Sequence, residues 1–309
     1  MGKTAFLFPG QGAQYIGMGE DLYRNSETAR RVFGLAKQVT GLSLEELCFR
    51  DEERINETKY TQLAILTVEL AFLSCLQEAG ITADAYAGLS LGEYAAVVAS
   101  GAMAAEDAFA LVQKRGLWMQ EAYPQGGAMS AVLGLEADII EGILKDVLGT
   151  VSIANYNCPG QIVITGEKGA VELASTRLAE AGAKRCVPLK VSGPFHSVFM
   201  EGVGSSLLAE CEKLHWNQIQ TPYFSNVTAK MVTDEKQIPN LLAAQVSSPV
   251  RFEQSIRGMI DQGIDTFVEV GPGKTLSSFL RKIDRKVSSC CVGTQQELEA
   301  FRQKLKEGV

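Results

Sequence analysis

The sequence predicts an α/β fold in which a large domain built on a parallel sheet is interrupted by a small inserted unit. Two observations carry that expectation. Short apolar runs alternate with long amphipathic segments over the first 120 residues, as parallel strands joined by crossover helices do. Between residues 125 and 191 the pattern changes to β-α-β-β-α-β, the ferredoxin-like order, in one compact stretch. The chain has 309 residues, 46% of them hydrophobic and 21% charged, so it can bury a core without disulfide or metal staples.

The elements follow in order. Thr4 to Phe8 reads as a strand and runs into a glycine-rich loop, Pro9 to Gly19. Helical periodicity covers 27–38 and, strongly, 61–78. Ala85 to Ala87 is a short strand, and helices are expected over Leu91–Ala99 and Ala105–Gln120 with Gly101 between them. Tyr123-Pro124-Gln125-Gly126-Gly127 breaks the pattern. The inserted unit then gives strands at Ala128–Leu133, Val151–Asn155, Gln161–Thr165 and Arg185–Val191, with helices at 136–147 and 168–181. After Ser192-Gly193-Pro194 the chain returns to the large domain, where 267–270 is a strand and the tail from Gln295 a charged helix. The domain limits are therefore 1–124 with 192–309, and 125–191.

Composition removes several function classes. A net charge of −7 disfavours nucleic acid as a partner. Two histidines in the whole chain leave no histidine-rich metal site. The seven cysteines, at 48, 75, 158, 186, 211, 290 and 291, are odd in number and lack C-x-x-C spacing, so reduced thiols in a cytoplasmic protein are expected. The apolar run Ala5 to Phe8 is too short for a signal peptide. The longest apolar stretch, Leu63 to Leu76, carries Glu69 and falls short of the ~18 residues a membrane span needs.

Gly88-Leu89-Ser90-Leu91-Gly92 is the one G-x-S-x-G in the chain. Its flanks, a short strand before and an alanine-rich helix after, suit a nucleophile elbow that exposes the Ser90 hydroxyl beside helical N–H groups. An N-cap serine between packing glycines is the plainer alternative. A nucleophilic serine needs a base, and only His196 and His215 exist. His215 sits beside Trp216 at what reads as a helix end, where capping or packing is expected. His196 lies in a turn-rich loop where the inserted unit hands the chain back, which favours it. The acids between 90 and 196 fall on expected helices or their first turns, apart from Glu167 inside the inserted unit, so a histidine steered by something other than a carboxylate is the simplest reading.

Phe8-Pro9-Gly10-Gln11-Gly12 could bring a backbone N–H to an oxyanion, or be a plain turn. Gly271-Pro272-Gly273-Lys274-Thr275 imitates a phosphate loop, but Val268 stands where its first glycine would be. Nucleotide hydrolysis is rejected on that ground. Arg115 could be an ordinary solvated helix residue, yet its flank Gly116-Leu117-Trp118-Met119 is apolar, and a buried arginine wants an anion. Lys274, Arg281, Lys282, Arg285 and Lys286 form the densest basic run, either a solvated face or a dock for an acidic partner.

These residues fall within a set of ordered segments: FPGQG at 8–12, YTQ at 60–62, GLSLGEYAA at 88–96, QKRGLWMQ at 113–120, GPFHS at 193–197, SNVTA at 225–229, Q-x-x-x-P-V-R-F at 245–252 and EVGPGKTL at 269–276. In that order, over nearly the whole chain, they resemble the malonyl-CoA:acyl carrier protein transacylase family. The resemblance implies an α/β-hydrolase-like large domain with a ferredoxin-like insertion. It implies a ping-pong acyltransferase of fatty acid biosynthesis, taking malonyl-CoA and acyl carrier protein as partners. No cofactor is expected beyond the coenzyme A thioester as substrate, no metal and no membrane; the chain is expected to be a cytoplasmic monomer. Ser90 matches the nucleophile, His196 the base and Arg115 the residue gripping the malonyl carboxylate. Gln11 and Leu91 match the oxyanion-hole amides, and Gln245 the residue whose main-chain carbonyl orients the histidine. Two positions depart from the family pattern: Leu89, where the family usually has histidine, and Leu63, where it commonly has proline. The competing readings are a serine esterase of the α/β-hydrolase type, which would need a triad acid, and a non-enzymatic docking module, which would lack Ser90 or His196.

Overall fold

The computed structural model describes residues 2–307; Met1, Gly308 and Val309, which the sequence-based domain limits include, lie outside the described residues. Ten strands run in chain order: β1 (Lys3–Phe8), β2 (Ala85–Gly88), β3 (Gly127–Leu133), β4 (Val151–Cys158), β5 (Gln161–Glu167), β6 (Arg185–Pro188), β7 (Tyr223–Phe224), β8 (Met231–Val232), β9 (Ile264–Val270) and β10 (Ser288–Val292). They form a six-stranded sheet of order β10-β9-β1-β2-β7-β8 and a four-stranded sheet of order β4-β5-β3-β6. The larger sheet is parallel except for the β7–β8 edge pair. The smaller is antiparallel throughout.

Side-chain alternation explains how the layers stack. Along β1, Phe6 and Phe8 enter one core while Ala5 and Leu7 enter the other, so the central strand is buried on both faces. Along β5, Ile162 and Ile164 pack beneath the small sheet's own helices, whereas Val163 faces the main core beside Met129, Ala131 and Ala154. The long helix Thr58–Glu78 is apolar nearly all round, with Leu63, Ala64, Ile65 and Leu66 each fully buried. Whereas the apolar run Leu63–Leu76 falls short of a span, the whole 21-residue helix is long and apolar enough to cross a membrane by length and composition, and 83% of its most apolar 18-residue stretch is buried inside the protein.

β1 is flanked by β2 on one side and β9 on the other, so its carboxyl end is where crossovers leave in opposite directions. Open α/β sheets bind ligands in the crevice at such a point. The loops after β1, β2 and β9 carry Gly10 and Gln11, Leu89 and Ser90, and Gly271 respectively.

Several expectations shift at their edges. The helix placed at Leu91–Ala99 begins at Gly92, with Leu91 as its cap. The strand expected to reach Val191 ends at Pro188, although the Leu189 amide still donates to the Met129 carbonyl at 2.9 Å. β7, β8 and β10 had no counterpart in the sequence reading. Two of them are two residues long, and β10 (SSCCV) is neither strongly apolar nor alternating.

Candidate active site

The G-x-S-x-G segment needs both glycines for contact reasons. A Cβ on Gly88 would run into the Gly92 backbone, and one on Gly92 into the Phe8 carbonyl. Ser90 between them holds φ at 54°, the left-handed region, so the turn from β2 into helix Gly92–Ala99 is sharp. Only three non-glycine residues among those described take positive φ, and His196, at 59°, is another. Strained backbone of this kind costs of order 1–3 kcal/mol per residue and clusters at functional sites.

Asn226 clamps the elbow. Its Oδ1 accepts from the Ser90 amide at 2.7 Å, and its Nδ2 donates to the Gly88 carbonyl at 2.7 Å. The Ser90 hydroxyl lies 2.8 Å from His196 Nε2, and His196 Nδ1 lies 2.8 Å from the main-chain carbonyl of Gln245. A carbonyl only accepts, so Nδ1 carries the proton and Nε2 presents its lone pair to the serine. The histidine ring thus rests against a peptide carbonyl rather than a carboxylate. Burial, reinforced by the nearby Arg115 charge, pushes its pKa down to about 4, so the ring is a neutral base at physiological pH.

Arg115 is 1% exposed, more deeply buried than its apolar flank alone suggested. It donates from Nη1 to Gln62 Oε1 at 2.7 Å, and from Nη2 to Gln245 Oε1 at 2.9 Å and to the Ser90 hydroxyl at 3.1 Å. Its guanidinium also stacks over Tyr94, 5.2 Å from the ring centroid. No carboxylate among the described residues forms an ion pair with it. Lys114, its neighbour, points elsewhere and pairs with Glu210 at 2.6 Å.

Ser90, His196 and Arg115 open onto one cavity of about 250 Å³. Gln11 and Leu91 flank the serine there, and neither main-chain amide donates to another group among the described residues, while the Gln11 side chain donates to Thr58 Oγ1 at 3.0 Å. The far wall comes from the small sheet, through Met129, Ala131, Asn155, Asn157 and Val163. The geometry gathers a serine hydroxyl, a neutral imidazole, two main-chain amides without acceptors and a buried cation around one space.

His215 does not join them. It is exposed, in the loop beyond helix Glu201–Cys211, so neither capping nor packing describes it. The basic run divides: Lys274 pairs with Glu297 at 2.7 Å, while Lys282 donates to Gln161 Oε1 at 3.2 Å at the cavity's rim. Helix Thr275–Ile283 ends before Arg285 and Lys286, which sit on the turn after it. The residue-by-residue reading gave no role to Gln62, Glu93 or Asn226. Gln62, Glu93 and Asn226 do fall inside the ordered segments YTQ, GLSLGEYAA and SNVTA, the one signal that could have found them.

An α/β scaffold that sets a serine, a neutral histidine and a buried arginine around one cavity suits the class of enzymes that handle acyl groups. The chain belongs to the acyl transferase domain family, which matches residues 5–306. It is 44% identical to the malonyl CoA-acyl carrier protein transacylase of Bacillus subtilis, over 99% of this chain and 98% of that one. The crystal structure of malonyl CoA-acyl carrier protein transacylase from Clostridium perfringens superposes with a TM-score of 0.95 at 42% identity, covering 99% of this chain and 98% of the other. A malonyl-transacylase in complex with a type II PKS acyl-carrier protein gives 0.95 at 36% identity, covering 98% and 99%.

Proposed function

We infer that this chain moves a malonyl group from malonyl-CoA to the phosphopantetheine thiol of acyl carrier protein, through a malonyl ester on Ser90. One observation supports this reading above the others: a fully buried arginine without a carboxylate partner reaches to 3.1 Å from the hydroxyl that His196 activates. The relatives named above bear the same activity in their names.

In this reading His196 Nε2 takes the Ser90 proton while Oγ attacks the thioester carbonyl. The Gln11 and Leu91 amides hold the resulting oxyanion. The C–S bond then breaks, and coenzyme A leaves with the proton from His196. The carrier protein's thiol next gives its proton to His196 and attacks the ester. Ser90 departs and recovers the proton, closing a ping-pong cycle. Arg115 binds the distal carboxylate of the malonyl group, its planar fork matching both oxygens. A peptide carbonyl stabilises the imidazolium less than a carboxylate would. A thioester or thiol tolerates the weaker base, whereas attack by water is slowed. The thioester brings its own activation, so the cycle needs neither metal nor cofactor.

The reading also divides the chain into an α/β-hydrolase-like domain, 1–124 with 192–309, and a ferredoxin-like domain, 125–191, with the cavity between them. The strand order β4-β5-β3-β6 with two helices on one face supports the second assignment. A cytoplasmic monomer suffices for the chemistry. The test is a malonyl adduct, stable to acid, on the Ser90 peptide after exposure to malonyl-CoA. Carrier protein should discharge it rapidly and water slowly; rapid discharge by water alone would make the chain a hydrolase.

A further inference from the structure

Glu93 is fully buried in the first turn of helix Gly92–Ala99 and does not line the cavity. Its Oε2 accepts from Gln245 Nε2 at 2.5 Å, and its Oε1 from the Asn226 amide at 3.2 Å. Each partner holds a working group. The second N–H of the Gln245 side chain donates to the Ser90 carbonyl at 2.8 Å. Both of the groups facing that nitrogen are acceptors, so the Gln245 oxygen is turned toward Arg115. Burial raises the Glu93 pKa to about 7, but both of its oxygens face N–H donors, so the chain Glu93–Gln245–Arg115 places an acceptor carboxyl one amide away from the buried cation. A direct ion pair would neutralise the cation; an interposed amide anchors it and leaves its charge without a carboxylate partner.

We propose that Glu93 is a positioning residue for the carboxylate-gripping arginine, acting through the side chain of Gln245. This rests on the malonyl-transfer reading of the same site. A glutamine at 93 offers one acceptor where two donors, the Asn226 amide and Gln245 Nε2, now converge. The main-chain amide is fixed by its segment, so the Gln245 side chain gives way and Arg115 loses an acceptor. A hydrogen bond to a charged group is worth about tenfold or more. The loss falls most heavily on substrates that use Arg115, so the malonyl-to-acetyl ratio reads it apart from any loss shared by both through the Ser90 carbonyl.

The experiment compares kcat/KM for Ser90 loading from malonyl-CoA and from acetyl-CoA in the wild type, Glu93→Gln, Glu93→Asp, Gln245→Ala and the double variant Glu93→Gln/Gln245→Ala. Gln245→Ala removes the side chain and keeps the carbonyl that orients His196. In Glu93→Gln the malonyl-to-acetyl ratio should fall about tenfold, and in Glu93→Asp, which keeps an acceptor-only group, it should recover most of its value. Gln245→Ala should reproduce the fall, and the double variant should be no worse than Gln245→Ala alone. Should Glu93→Gln not fold, Glu93→Asp and Gln245→Ala still read the relay. Equal losses for both substrates, or independent losses that multiply in the double variant, would overturn the proposal. A wild type without malonyl preference would overturn the parent reading, and this one with it.

Discussion

Replacing Arg115 by alanine separates recognition from chemistry. Malonyl and acetyl thioesters present the same carbonyl to Ser90 and differ by one distal carboxylate, so discrimination has to come from a group that pairs with that charge. Arg115 is 1% exposed and bound only to neutral acceptors, the Gln62 and Gln245 amides and the Ser90 hydroxyl. A substrate carboxylate would meet a desolvated cation with no competing anion. Truncating one partner of such a pair costs about 2–5 kcal/mol, or roughly 30- to several-thousand-fold in kcat/KM. Acetyl loading should hold or improve, because the same truncation removes a positive charge that depresses the basicity of His196. Arg115→Lys keeps the charge without the planar fork and should fall between the two. The assay is kcat/KM for serine loading from each thioester, with melting temperature as control for the orphaned Gln62 and Gln245 oxygens. If malonyl and acetyl loading drop together, Arg115 is a structural cation and the account of selectivity fails.

Three further outcomes are expected. Acetyl loading measured by pH jump should stay flat across the neutral range and decline on the acid side only toward about pH 4, because His196 is depressed to about that value; malonyl loading should in addition weaken as pH falls through about 7, where burial places the Glu93 carboxyl. The depression of His196 contributes stability above the unfolded imidazole's pKa of about 6.5, fading as pH falls to the folded value; an acid limb near 6.5 in acetyl loading would contradict the burial argument. Asn226→Ala leaves the Ser90 amide and Gly88 carbonyl unpaired and should destabilise the protein by about 2–4 kcal/mol, read by denaturant melts, with loading slowed for every thioester alike. An unchanged melt would mean that the elbow holds itself. Charge reversal at Arg281 and Lys282, both exposed at the end of helix Thr275–Ile283 with Lys282 reaching the cavity rim, should raise the KM for acidic carrier protein without altering loading from malonyl-CoA; a matching fall in loading would show that the patch is not the dock.

Much of the frame was legible because its signals are local. Periodicity located the main parallel strands, the long buried helix and the β-α-β-β-α-β unit, and the glycines around Ser90 announced a contact that admits no Cβ. His196 was reachable by elimination, since the chain holds only one other histidine. The supports were not legible from residue type and spacing. Gln245 orients the histidine with a main-chain carbonyl, which any residue possesses, so its side-chain identity carries no trace of that role. Asn226 and Glu93 lie 133 positions apart and meet only once the sheet is assembled. The short strands β7, β8 and β10 are held by their neighbours in the sheet rather than by their own composition.

The left-handed backbone at Ser90 bears on how such a protein can be improved. Glycine at position 90 would adopt the same turn without the Cβ penalty, relieving strain of order 1 kcal/mol. A library ranked by melting temperature alone would therefore tend to favour Ser90→Gly, a chain that resists heat and transfers nothing. Selection for durability and selection for turnover pull in opposite directions at this one residue. A stabilising campaign on this scaffold must count product at every round, and gains in robustness are better sought in the helices far from the elbow.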